Sequence, residues 1–372
     1  MTWLGDRPVR SDGPLKGASK SFLIVFERIF LYYNTLNGND AMRRYYNAYS
    51  RYLKSRFPWR VYKLPLDAGF NCPNRDGRVA FGGCTFCSNA SFSPNSSGVL
   101  KSVREQVEEG IAVYRKRRFG GEKFIAYFQA FTNTDAPVDQ LAPLYDEALS
   151  HPDVVGLAIA TRPDCVPEPV LDLLTDLQKR TALFLEVGLQ SIHDETLRRV
   201  NRGHTFAEFV DAVDRIKKRG LYLSTHLILG LPGEDRSMML ETADRVAQMP
   251  IDAVKLTHLY IPRQAPLAQA HRRGELVLLT LSDYIQLVCD VLERLPERLI
   301  IERLMGELDG EDILSPRWEK HKGEILEMIE AEFARRGTCQ GILFREGPQS
   351  DIECDPAQVQ RCIPPMTAPI KS

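Results

Sequence analysis

Net charge is nearly absent from this chain of 372 residues: 48 Lys and Arg stand against 49 Asp and Glu, for a formal charge of -1. That balance excludes a globally basic nucleic-acid binder, although local basic faces stay open. Long apolar runs are missing too. Ser21–Tyr33 is the nearest approach, and Glu27 and Arg28 interrupt it well short of a bilayer span. No cleavage pattern of a signal peptide follows it, so the chain reads as cytoplasmic, with no membrane partner. Histidine is scarce, with seven in all and none between Cys72 and His151. A closed zinc site wants four protein ligands, and the fourth is missing near the clustered cysteines. Gly230-Leu231-Pro232-Gly233-Glu234 does not end in Lys-Ser/Thr, which excludes a phosphate loop there.

Against these absences stands one dense stretch, Asp67 to Ser88, which holds three of the eight cysteines. Eleven residues separate Cys72 from Cys84 and two separate Cys84 from Cys87. Gly, Asn, Asp and Pro dominate, so the stretch is a loop. It follows Val61–Leu66, which reads as a short strand, and the C-terminal end of a first strand is where an α/β barrel places a site. A disulfide scaffold is disfavoured by chain length, by the lack of a secretory signal and by the odd number of cysteines clustered here. An iron–sulfur cluster on three thiolates would leave one iron open, against the usual four cysteine ligands. The triplet alone does not decide between metal and chance.

The rest of the chain alternates. Strands are expected at Phe124–Phe128, Val154–Ile159, Leu183–Leu189, Leu221–Leu229 and Ala253–Tyr260, with amphipathic helices between them, including one opened by a capping box at Thr205–Glu208. Counted with the first strand, six repeats predict an α/β fold, a partial (β/α)6 TIM-like barrel with a C-terminal helical extension; a flat doubly wound sheet is the alternative. The expected divisions are residues 1–41, a poorly ordered extension preceding a natural start at Met42; 42–265, the core; 266–337, the helical extension; and 338–372, a disordered proline-rich tail with Cys339, Cys354 and Cys362. Tyr45, Tyr49 and Tyr52 at helical spacing point to a helix closing the bottom of the core, with a nucleic-acid face as the sharper alternative.

Cys84-Thr85-Phe86-Cys87 resembles the cluster motif of radical S-adenosylmethionine enzymes. Its long spacing from Cys72 is similar to the YhcC-like subgroup, related to the Elongator catalytic subunit. Gln129–Thr134, Ala160–Asp164, Glu186–Ser191 with Asn201–Thr205, and Leu227–Glu234 agree, each at the C-terminal end of a strand. The resemblance covers about residues 42–335. It implies a [4Fe–4S] cluster on Cys72, Cys84 and Cys87, and S-adenosylmethionine cleaved to methionine and a 5′-deoxyadenosyl radical. It further implies Phe86 near the adenine, Gln129 on the methionyl amino group, Gln190 and Arg202 on ribose and carboxylate with Arg162 assisting, and Leu229, Gly230 and Leu231 along the adenine. The family's Gly-Gly-Glu stretch is absent at Gln129. A flavodoxin or ferredoxin type electron donor is implied, with tRNA as a candidate substrate; Arg115–Arg118 and Lys217–Arg219 offer basic patches. Each residue also has a plain structural reading: Phe86 as core, Arg202 as a helix-end charge, Gln190 as a strand cap. The different-class alternative is a non-enzymatic zinc or iron–sulfur protein that binds nucleic acid.

Overall fold

Short apolar runs that end in polar loops dictate a sheet buried on both faces, with its functional groups at one end. In a computed structural model describing residues 45–88, 100–116, 122–306 and 312–346, the order begins α1 (Tyr49–Arg56), β1 (Val61–Leu66), α2 (Val103–Lys116), β2 (Lys123–Phe128), α3 (Val138–Leu149) and β3 (Val154–Thr161). It continues with α4 (Glu168–Gln178), β4 (Ala182–Gln190), α5 (Asp194–Arg199), α6 (Phe206–Lys218), β5 (Leu223–Leu229), α7 (Arg236–Ala247) and β6 (Ala253–His258). The last elements are β7 (Ile261–Pro262), α8 (Leu267–Arg272), α9 (Leu281–Arg294), β8 (Ile300–Arg303), β9 (Ile313–Ser315) and α10 (Lys322–Arg336).

Seven strands form one parallel sheet in the order β1-β2-β3-β4-β5-β6-β8, curled into a half-barrel with β1 and β8 as its edges. β7 and β9 pair antiparallel as a small second sheet. The partial barrel is the expected one, with a correction: the sheet has seven strands, not six. The extra strand, Ile300–Arg303, lies inside the segment expected to be helical. Four residues are too few to display a period, and their burial comes from β6 alongside.

A second correction concerns the expected tail. Residues 338–346 pack onto the body: Gln340 donates through Nε2 to Pro296 O (2.7 Å) and Leu299 O (2.9 Å), and accepts from Asn47 N–H (2.8 Å). Ile342 is buried as well. One amide thus ties the chain before α1 to the residues entering β8. Residues 1–44 and 347–372, with the other two tail cysteines, lie outside the described residues.

The tyrosines near the start pack on the core as their spacing suggested, although the helix begins at Tyr49 and Tyr45 lies before it. Tyr49 meets Phe184 edge-on (6.1 Å), Tyr52 stacks with Tyr222 (6.0 Å) and Tyr45 stacks on Phe333 (5.7 Å). α1 therefore seals the N-terminal ends of β4 and β5 with aromatic area.

Candidate active site

The loop after β1 shapes itself. Arg75 N–H donates to Cys72 O (2.8 Å), Val79 N–H to Pro73 O (2.9 Å) and Gly83 N–H to Asn74 O (2.8 Å). Asp76 and Phe81 bridge. The eleven residues between Cys72 and Cys84 are thereby folded back as a narrow tongue. Cys87 N–H donates to Cys84 O at 3.0 Å, a single turn that sets the third cysteine beside the second.

All three cysteines line one cavity of about 210 Å³ at the C-terminal ends of the strands, and none of them forms a disulfide. Burial pushes the Cys87 thiol up to about 12, and the Cys84 and Cys72 sulfurs push the same way. Three sulfurs thus share one electrostatic neighbourhood, where a cation would relieve their repulsion. Among the described residues, no three His, Cys, Asp or Glu side chains converge at the spacing of a single metal ion.

Phe86, Gln129, Arg162, Gln190 and Arg202 line the same cavity. Leu231 does not. It is buried in a small apolar cluster with Val200, Leu259 and Ile261, against which Phe86 packs. Leu229 and Gly230 are also absent from the wall, and Ile228 and Leu259 supply apolar surface there instead. Arg162 lines the cavity with its guanidinium already committed, to Asp164 through Nε (2.9 Å) and to Arg202 O through NH1 (2.8 Å). It positions the Arg202 loop. Gln129 Oε1 and Arg202 Nε are buried without a hydrogen-bond partner, which suits residues awaiting a polar ligand.

The motif Glu186-Val187-Gly188-Leu189-Gln190 resolves into tasks. Glu186, Gly188 and Gln190 all face the cavity, as alternate residues of a strand do. A Cβ on Gly188 would lie 2.8 Å from Arg202 NH2 and 2.6 Å from Gln190 Nε2, so only glycine leaves room for both side chains. Arg202 NH2 donates to Gly188 O (2.7 Å) and NH1 to Cys84 Sγ (3.6 Å). Arg202 is therefore no solvated helix-end charge. Asn201 donates to Phe81 O (3.0 Å) and Gly83 O (2.8 Å), while Asn74 donates back to Asn201 O (2.5 Å). These three bonds, one from Asn74 and two from Asn201, tie the cysteine loop to the connection after β4.

Beneath the cysteines lies a set of charges that sequence reasoning missed. Lys63 Nζ donates to Glu186 (2.6 Å) and Glu302 (2.9 Å), Tyr127 OH donates to Glu186 (2.8 Å), and Lys255 Nζ also reaches Glu186. Burial disfavours the Glu186 carboxylate charge, but Lys255 and Lys63 outweigh it and hold the pKa well below the ordinary range. Burial pulls Lys255 down to about 8, opposed by Glu186. The shift of Glu186 favours its charge, while that of Lys255 works against its own and stops at about 8, above neutral pH. Burial takes His226 down to about 4 and His258 to about 3, so both rings are neutral. The signal was available: Lys63, Glu186, Lys255 and Glu302 each interrupt a buried apolar strand, and a charge there must be paired.

The basic runs are largely ion-paired helix faces. Arg115 reaches Asp153, Lys217 Nζ lies 2.6 Å from Asp252, and Arg219 NH2 lies 2.9 Å from Asp172; Arg117 and Arg118 fall outside the described residues.

The parallel half-barrel, whose first loop delivers three cysteines to a cavity at the strand ends, agrees with the family that the sequence matches. The chain belongs to the Radical SAM superfamily, whose sequence profile matches residues 72–246, with that of the Radical_SAM C-terminal domain matching 251–335. This is a family of enzymes whose cofactors are a [4Fe–4S] cluster and S-adenosylmethionine. Membership sets aside the non-enzymatic alternative. The chain is 42% identical to the uncharacterized protein YtqA of Bacillus subtilis over 81% of its own length and 93% of the relative's. It is 37% identical to protein YhcC of Escherichia coli over 74% and 88%. The fold is that of the archaeal Elp3 of Methanocaldococcus infernus lacking its N-terminus, with a TM-score of 0.60 at 18% identity, covering 76% of this chain and 64% of that one. No helix among the described residues is long and apolar enough to cross a membrane.

Proposed function

We propose that the chain holds a [4Fe–4S] cluster on Cys72, Cys84 and Cys87 and uses it to cleave S-adenosylmethionine in the adjoining cavity. The observation that carries this is the gathering of those cysteines with Phe86, Gln129, Gln190 and Arg202 around one space. When bound, the cluster supplies one electron for breaking the sulfonium bond, releasing a 5′-deoxyadenosyl group that takes hydrogen from a substrate.

The chain's own residues bind and orient. Gln129 presents its unpartnered oxygen to the cofactor's amino group, and Arg202 Nε suits a carboxylate. Phe86, packed on the small apolar cluster that includes Leu231, would offer an aromatic face to the adenine. Arg162, locked by Asp164, fixes the loop that carries Arg202. A low-potential one-electron donor of flavodoxin or ferredoxin type would supply the electron. Transfer RNA is the first substrate to test, on the resemblance to the Elongator catalytic subunit; the ion-paired basic runs add little to it.

The test is anaerobic reconstitution with iron and sulfide, reduction, addition of S-adenosylmethionine, and chromatography for 5′-deoxyadenosine. The expected outcome is product from the wild type and none from Cys84→Ala. An intact, reduced cluster that yields no product with or without tRNA would count against the reading, as would bound zinc in place of iron. RNA binding should weaken steeply with salt.

A further inference from the structure

The sulfur of Cys84 has two neighbours that no cysteine motif requires. Asn74 Nδ2 lies 3.5 Å from it and Arg202 NH1 lies 3.6 Å from it, both in donor geometry. All three side chains are buried, Asn74 completely. The amide orientation of Asn74 is fixed by its second contact: Nδ2 also donates to Asn201 O, and a flipped amide would set oxygen against oxygen at 2.5 Å. Arg202 cannot drift from the sulfur, because NH2 is held by Gly188 O and the adjoining loop by Arg162. The backbone leaves space for this arrangement at Gly203, where a Cβ would meet Asn74 Oδ1 at 2.1 Å.

We propose that Asn74 and Arg202 are positioning residues that set the reduction potential of the cluster through Cys84, an inference that rests on the cluster reading above. A cluster that accepts one electron spreads the added negative charge onto its sulfur ligands. N–H groups aimed at one of those sulfurs stabilise the reduced form more than the oxidised form and raise the potential. Arg202 adds a full positive charge in a buried setting, where it is weakly screened. It keeps Nε for the cofactor, so one guanidinium serves the cluster and S-adenosylmethionine from different edges.

The experiment is a dithionite-mediated redox titration of the reconstituted protein without S-adenosylmethionine, followed by the paramagnetic signal of the reduced cluster, with iron counted in every sample. Arg202→Met removes a donor and the charge; Asn74→Leu removes a donor and no charge. We expect about tenfold less reduced cluster at a set potential for Arg202→Met, equivalent to about 59 mV for one electron. Asn74→Leu should shift in the same direction by a smaller factor, and Arg202→Lys should fall between Arg202→Met and the wild type. Unchanged midpoints at equal iron content would overturn the proposal. Failure of both Asn74→Leu and Arg202→Lys to assemble a cluster would also overturn it, since the residues would then be holding the loop. Wild-type protein that takes up no iron–sulfur chromophore would instead sink the reading beneath it.

Discussion

Floor and rim of the same cavity obey opposite rules of polar pairing. At the floor, two lysines sit between two glutamates: Lys63 and Lys255 each lie within 4 Å of both Glu186 and Glu302. Every charge there is answered within the barrel. At the rim, Asn74 Oδ1, Gln129 Oε1 and Arg202 Nε are buried with no partner. The backbone differs in the same way. The non-glycine residues with positive φ among those described are Phe131 (65°), Gln190 (79°) and Asn201 (51°), and all three belong to the loops and strand ends of the rim. Strained backbone and unpaired polar atoms cost stability and persist where binding uses them. The charges of the floor are paired by folding; the rim keeps buried polar atoms that folding leaves without a partner.

The most severe way to break this contrast is to exchange treatments between the two regions. Glu186→Gln leaves Lys63 and Lys255 sharing a single buried carboxylate. Urea unfolding should show a loss of about 3–5 kcal/mol, the cost of breaking a buried ionic network by removing one member. Gln129→Ala at the rim should change unfolding by less than about 0.5 kcal/mol, since no hydrogen bond of Oε1 is lost. Equal costs at the two positions would erase the distinction.

A change of pH probes the wall between them. Burial lowers His226 to about 4 and His258 to about 3, so both are neutral when folded and protonate near 6.5 when unfolded. The unfolded chain binds more protons below that value, so stability is complete above about pH 6.5 and falls as pH drops toward 4. Unfolding free energy should decline by about 2 kcal/mol per histidine between pH 7 and pH 5, before the carboxylates titrate. His258 stands among Tyr260, Tyr284 and Trp318, so His258→Phe should flatten its share of the slope. A flat profile in the wild type would mean that both rings are wet.

A smaller loss than at Glu186 or the two histidines is expected outside both regions and serves as a baseline. Thr205 caps α6, accepting from Glu208 N–H while the Glu208 carboxylate accepts from Thr205 N–H. Thr205→Ala should lower stability by about 1 kcal/mol and leave iron content unchanged. Lost iron would show that the cap helps to place the neighbouring Arg202.

Local pattern made much of this molecule legible beforehand. The capping box starts α6 at Phe206, as its residues indicate. Apolar runs bounded by turn residues marked the first six strands, because period and punctuation are properties of neighbouring residues. The cysteine triplet and the strand-end motifs were legible for the same reason, since each occupies a few consecutive positions. Strand β8 was not, because four residues carry no period of their own. Gln340 was not, because its partners lie more than forty positions away at Pro296 and Leu299. Leu231 looked like an adenine contact but sits in the small apolar cluster beside the cavity, because which face of a loop meets the cavity is a matter of packing. The pairing of Lys63 with Glu186 and Glu302, and the approach of Asn74 and Arg202 to one sulfur, depend on strands and loops far apart in the chain arriving at the same point. Composition and spacing determined the strand ends and the loop that carries the cysteines, and the resemblance of those motifs to a family pointed to the class of chemistry. Tertiary structure alone decided which side chains are paired, which are left waiting, and which sulfur receives the extra hydrogen bonds, because buried polar groups take their partners from whatever the fold brings within reach.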